Sequence, residues 1–438
     1  MNINKSISLY LKAKQIIPGG TQLLSKRPEM FLPELWPAYY RKCKGVKVFD
    51  LDGNKYIDMS ICGVGACVLG YADPDVDYAV SEAIKAGNMC TLNVPEEIEL
   101  AELLLEIHPW AQMIRYARTG GEAMAIAIRI VRALTGKEKI LFCGYHGWHD
   151  WYISANLAEY TALDGQLLPG LEPKGIPRAL QATAIPFQYN DLTSFQSLVK
   201  QYSNEIAAVV LEPVRNYWPE KNFLESIRQI TKERNIPLVF DEITSGFRMT
   251  NGGIHLKLGI DPDLAVFAKA ISNGYPMAAL IGKSKIMNAA QKTFISSTYW
   301  TDKIGPVAAL ATIKKFKKCD VSSHLVSVGN LVQNGWKKLA KKFNIKIDIT
   351  GISPLSHWKI DSEDSQLLHT IITKKMLDKG FLVTRAFYST YAHKKEHVEN
   401  YINSLDIILE ELIQYIKSGT LKTIYKGPTA HTGFKRLA

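Results

Sequence analysis

The sequence predicts an α/β fold: a large domain built on a mainly parallel sheet with helices on both faces, plus a smaller α+β domain. Three observations carry that expectation. Short unbroken apolar runs alternate with segments of helical periodicity between residues 139 and 281, the pattern of strands buried on both sides of a parallel sheet. After about residue 310 the text turns to Lys-rich helices and weaker strands. A chain of 438 residues is also too long for one simple core.

The elements follow in order. Met1 to Lys14 mixes Lys and Ser with apolar residues at helical spacing, without the apolar stretch or cleavage site of a signal peptide. Val46 to Asp58 reads as a hairpin around Asp52-Gly53-Asn54, where positive φ costs little. Pro95 to Ile107 has the spacing of a helix, with Glu96 and Glu97 in its first turn. A second helix, rich in Ala and Ile, runs from Gly120-Gly121 to Leu134. Strands are expected at Lys139 to Cys143, Ile206 to Leu211, Pro237 to Phe240, Leu264 to Ala268 and Ala278 to Ile281, with a helix over Phe223 to Arg234. The expected domains are residues 1–60, joining the smaller domain, 61–310, the large domain, and 311–438, the rest of the smaller one.

Composition narrows the function. Apolar residues make up 47% and charged residues 22%, ordinary for a globular protein. The net charge of +11 is spread over helix faces such as Lys314, Lys315, Lys317 and Lys318. No recognition motif accompanies it, so no nucleic-acid partner is expected. Six cysteines form no C-x-x-C pair and read as reduced thiols of a cytoplasmic protein. No window approaches the ~18 apolar residues of a membrane span. His146 and His149 lie close together but lack a third ligand, so no metal is expected.

Three features that carry chemistry occur in an informative order. Thr119-Gly120-Gly121-Glu122-Ala123 opens a helix with small residues, leaving backbone N–H groups and the positive dipole end available to a phosphate. Asp241 ends the apolar run Leu238-Val239-Phe240, at the sheet edge where ligands bind. Its carboxylate needs a cationic partner or hydrogen bonds: a protonated pyridine, a metal or an Arg. Lys269 directly follows Leu264 to Ala268, where poor solvation lowers the pKa of an amine and suits it to Schiff-base chemistry. Each alone has an ordinary reading: a loop, a strand end, a lysine reaching solvent.

In this order the three features resemble enzymes of fold type I that depend on pyridoxal 5'-phosphate (PLP). The chain resembles class III aminotransferases, and among them the branch containing glutamate-1-semialdehyde aminomutase. The likeness runs through Ile17-Pro18-Gly19-Gly20, Asp50 to Asp58, Tyr145-His146-Gly147, Leu211-Glu212-Pro213-Val214, Asp241 to Arg248, Lys269 and Ser297-Thr298. It implies a large domain with a mainly parallel seven-stranded sheet. It implies that Lys269 holds the cofactor as a Schiff base and moves protons at the substrate carbon. Asp241 pairs with the pyridinium nitrogen, Ile243 and Tyr145 pack the two ring faces, and Gly120, Gly121 and Glu122 give amides to the phosphate. Glu212 lies near the ring hydroxyl and the substrate. Thr298 reaches the phosphate of a neighbouring subunit, which implies a homodimer with shared active sites.

The chain departs from the family at Gly121, where Ser is common, and at Ala270-Ile271-Ser272-Asn273 after the lysine. Around Arg385 to Tyr388 it lacks the acid associated with the aminomutase. The expected activity is transfer from an amino-acid donor, glutamate first, to a carbonyl acceptor such as a keto sugar. The alternatives are an intramolecular aminomutase and a non-catalytic binding protein of the same fold.

Overall fold

A computed structural model describes residues 3–166 and 168–434. The chain falls into two compact units, one made of the residues up to Asp73 with those from Ser323, the other Pro74–Ser322. The first unit opens with β1 (Tyr40–Lys44), β2 (Lys47–Asp50) and β3 (Lys55–Met59), antiparallel in that order. The expected hairpin is β2 and β3. Its turn is held by Asp50, whose Oδ1 accepts from the amides of Asp52 (3.0 Å) and Asn54 (2.8 Å), the local bonding that makes Asp a turn residue.

The second unit holds β4 (Met113–Ala117), β5 (Lys139–Cys143), β6 (Ala184–Pro186), β7 (Ile206–Leu211), β8 (Leu238–Asp241), β9 (Leu264–Phe267) and β10 (Ala278–Gly282). They form one seven-stranded sheet in the order β4-β10-β9-β8-β7-β5-β6. Strands β4 to β9 run one way, and β10 runs against both its neighbours. Every residue of β7 to β10 is buried, which explains their unbroken apolar text. Helix Gly120–Thr135 covers one face, setting Met124, Ala127, Ile130 and Val131 in a core with Ile140, Val210, Val239, Val266 and Leu280. Strands β4 and β6 escape a reading of the sequence. The first carries Arg115 and is half-buried, and the second has 3 residues and ends in Pro186.

The remaining strands, β11 (Ile347–Thr350), β12 (Leu355–Ile360), β13 (Phe381–Val383) and β14 (Ala386–Tyr388), return to the first unit. There β13 adds in parallel to β3, while β11, β12 and β14 form a separate antiparallel sheet. Trp336 stacks on Trp358 at 5.3 Å and donates its indole N–H to the Tyr401 hydroxyl at 2.9 Å. No described helix is long and apolar enough to cross a membrane.

One buried polar network fixes the turn after β8. Glu242, fully buried, accepts from Ser245 Oγ at 2.6 Å and from the His255 amide at 3.0 Å. Trp110 Nε1 donates to His255 Nε2 at 2.9 Å. The His255 proton therefore sits on Nδ1 and donates to Glu242 Oε1 at 2.9 Å. Burial pushes the Glu242 carboxyl up, but the His255 and Ser245 hydrogen bonds outweigh it and hold the group below its usual range. His255→Leu removes the donor and leaves a buried carboxylate without its main partner. We expect a loss of about 3–5 kcal/mol of stability, read as a fall in the urea midpoint at unchanged slope.

Candidate active site

Strands β4 to β9 all end at one edge of the sheet, and the loops there carry the chemistry. Gly120 and Gly121 follow β4, Tyr145 and His146 follow β5, Glu212 follows β7, Asp241 closes β8 and Lys269 follows β9. Because β5 lies between β6 and β7, the chain winds outward in both directions from that point, and the crevice it opens is where such sheets bind ligands.

Lys269 leaves the extended Ala268 with φ +48°. A left-handed conformation at a residue other than glycine costs roughly 1–3 kcal/mol and persists where surrounding structure enforces it. Nζ donates to Thr244 Oγ1 at 2.8 Å. Burial, followed by the positive charge of Arg215, lowers the amine to about 8, against the opposing pull of Glu212 and Asp241. The amine is thus largely uncharged from mildly alkaline pH upward, ready to add to a carbonyl.

Asp241 is 2% exposed. Its Oδ1 accepts from the Ile243 amide at 3.0 Å, and its Oδ2 lies 2.8 Å from His146 Nδ1. His146 Nε2 donates to the Cys143 carbonyl at 3.2 Å, so Nδ1 and the carboxylate share a second proton. Burial pushes the Asp241 carboxyl up, and the His146 hydrogen bond and charge work against it. Glu212, also buried, takes Arg215 Nη1 on Oε1 at 2.8 Å and Oε2 at 2.9 Å, and the Tyr145 amide on Oε2 at 3.0 Å. The Arg215 guanidinium lies 5.9 Å from the Tyr145 ring centre, within cation–π range.

At the other end, helix Gly120–Thr135 begins with a capping box. The Glu122 amide donates to Thr119 Oγ1 at 3.3 Å, and the Glu122 carboxylate accepts from the Thr119 amide at 2.9 Å. Glu122 is committed to this cap, which leaves the Gly120 and Gly121 amides at the helix mouth. A Cβ at Gly120 would lie 2.8 Å from Ile243, and one at Gly121 would lie 2.9 Å from the His149 ring. His149 Nδ1 is buried without a hydrogen-bond partner among the described residues. A helix N-terminus, two positions closed to side chains and an orphaned imidazole nitrogen fit a phosphate.

The chain therefore gathers Lys269, Asp241, Glu212, Tyr145, Ile243, Gly120 and Gly121 at one edge. Thr298 stands on an exposed turn, Thr298–Thr301, and makes no hydrogen bond to any of them. Sequence reading weighed His146 and His149 only as a metal pair and passed over Thr244 and Arg215. The sign for Arg215 was in view, three residues beyond Glu212.

The sequence matches the aminotransferase class-III family over residues 33–409, and the chain belongs to that family. It is a PLP-dependent aminotransferase. It is 30% identical to the 3-aminobutyryl-CoA aminotransferase of Cloacimonas acidaminovorans (strain Evry), over 95% of this chain and 99% of that one. It is 35% identical to the glutamate-1-semialdehyde 2,1-aminomutase of Methanobrevibacter smithii, over 71% of this chain and 72% of that one. The fold matches the FumI protein of Sphingopyxis sp. MTA144 in its PLP internal aldimine form. The TM-score is 0.85 at 23% identity, over 95% of this chain and 98% of that one.

A depressed lysine pKa has a kinetic signature. The rate at which cofactor-free protein captures added PLP, followed by absorbance, should climb with pH and level off above about 8, as the amine loses its proton. Lys269→Ala should show no capture phase. A rate still rising steeply at pH 10 would assign an ordinary exposed lysine instead.

Proposed function

We propose that the protein moves an amino group from an amino-acid donor, glutamate in the first instance, to a carbonyl acceptor that is a keto sugar or other non-standard carbonyl. The observation that carries this reading is the buried Lys269 amine, lowered to about 8, beside the Asp241–His146 pair. Bound at this edge, PLP supplies a carbonyl to the amine and a cationic ring that withdraws electrons from the substrate carbon.

The chain's own residues do the rest. Lys269 anchors the cofactor and carries a proton to and from the substrate carbon. Asp241, with the proton it shares with His146, sets the charge facing the ring nitrogen. Ile243 and Tyr145 would flank the ring, the Gly120 and Gly121 amides would face the phosphate, and Glu212, its charge held by Arg215, would stand beside the incoming substrate. The relative named for 3-aminobutyryl-CoA supports a non-standard acceptor. In the aromatic loop from Tyr145 to Tyr152, Trp151 and Tyr152 are buried in the core, while the exposed Trp148 offers a ring that can lie against a sugar.

The proposal places the enzyme in the cytoplasm as a homodimer, and six free cysteines support the compartment. Phe294 and Tyr299, 82% and 71% exposed on either side of Thr298, support a covered surface there, with Thr298 reaching the partner's cofactor phosphate.

Glutamate alone should bleach the cofactor-loaded protein and release 2-oxoglutarate in a single turnover, after which a carbonyl restores the colour. An intramolecular aminomutase would release no keto acid. Asp241→Asn keeps the shape but removes the charge, and the bleaching rate should fall at least ~100-fold. Near-normal turnover would give the ring nitrogen to another group. Thr298→Val should loosen PLP retention in equilibrium dialysis without unfolding the chain, and an active monomer on dilution would overturn the shared site.

A further inference from the structure

The crevice between the loops after β5 and β7 holds a cavity of about 200 Å³. That is small against the roughly 300–1,000 Å³ of a whole-ligand site, so it suits one arm of a substrate. Gln166, Gln188, Tyr189, Asn216 and Tyr217 line it, and the Glu212–Arg215 pair borders it. Ligand pockets are mostly apolar with a few polar anchors. Here the lining is as polar as it is apolar, and the question is which chemical group such a lining would bind.

Charge answers the first part. Glu212 and Arg215 neutralise one another at 2.8 Å and 2.9 Å, so the cavity offers no unbalanced charge to a carboxylate, a phosphate or an ammonium group. Hydrogen-bonding capacity answers the second. Amides and phenols both donate and accept. An anion, which only accepts, would waste half of that capacity, and an ammonium, which only donates, would waste the other half. A hydroxyl group uses both.

Two members of the lining have structural duties. Gln166 Oε1 accepts from the Gly144 amide at 2.7 Å, and the Tyr189 hydroxyl donates to the Pro213 carbonyl at 2.6 Å. The side-chain amides of Gln188 and Asn216 make no hydrogen bond to any described residue. The cavity also adjoins the reacting centre, because Arg215 and Glu212 border it while acting on the charge of Lys269.

We infer that this cavity reads the hydroxyl groups of the acceptor, with Gln188 and Asn216 as specificity-determining residues, so that the acceptor is a polyhydroxylated aldehyde or ketone. The inference rests on the carbonyl-acceptor reading above and narrows its acceptor to the polyhydroxylated class. Tyr217 and Trp218, 58% and 42% exposed, extend the same wall with rings that can cover the C–H faces of such a substrate.

The test uses the cofactor-loaded enzyme after conversion by glutamate, with D-erythrose and butanal as acceptors of equal chain length. The wild-type protein should favour erythrose at least about tenfold in kcat/KM. Gln188→Leu and Asn216→Leu should each lower the erythrose value several-fold to about tenfold, as expected for one hydrogen bond to a hydroxyl. Butanal turnover and the glutamate half-reaction should stay unchanged, which also reports an intact fold. If the wild-type enzyme prefers erythrose and both variants keep that preference, the subsite is wrong while the acceptor reading stands. If it handles butanal as well as erythrose, the substrate class is wrong. If glutamate bleaches the cofactor but no carbonyl restores it, the acceptor reading falls and this inference with it.

Discussion

Charge burial at the carboxyl edge of the seven-stranded sheet is the constraint on which the second unit depends. Lys269, Asp241, His146, Glu212 and Arg215 are all largely withdrawn from water, and each would be costly alone. They are tolerable as a set. Arg215 answers Glu212 on both oxygens, His146 answers Asp241, and Thr244 accepts from the lysine. Removing one partner of such a pair strands the other, which is why the positions cannot vary independently.

Holding these groups in place requires a rigid support. Strands β7, β8 and β9 are buried along their whole length, so their ends are fixed by packing on both faces. The turn after β8 is fixed again by Glu242, which ties Ser245 and His255 to the strand end. Asp241 and Glu242 are consecutive yet serve opposite purposes. One faces the ligand edge with a shared proton, while the other, facing inward, is ionised and fully bonded. Alternation along a strand, which sends neighbouring side chains to opposite faces, permits this division.

Much of this was legible in the sequence, and the limits have physical causes. Continuous apolar runs identified β7 to β9 because both faces of those strands are covered. The same burial hid the direction of β10, since an antiparallel strand with both faces covered reads no differently. Lys269 and Asp241 each have an ordinary reading alone, and they stood out because they follow Thr119 to Ala123 in the order that resembles PLP enzymes of fold type I. His146 did not, because its partner lies 95 positions away and nothing local marks the pairing. Thr119-Gly120-Gly121-Glu122 has the spacing of a capping box. The resemblance drew attention to the phosphate instead, and the structure commits Glu122 to the cap.

The forces on Lys269 show how the site sets its chemistry. Arg215 and Arg248 disfavour its ammonium form, while Glu212 and Asp241 favour it. These influences oppose one another in cation–anion sets, and burial is the largest single cause of the shift. The amine is therefore tuned by exclusion of water more than by any one neighbour. Access of water to the crevice should affect its protonation more than exchange of one charge for another.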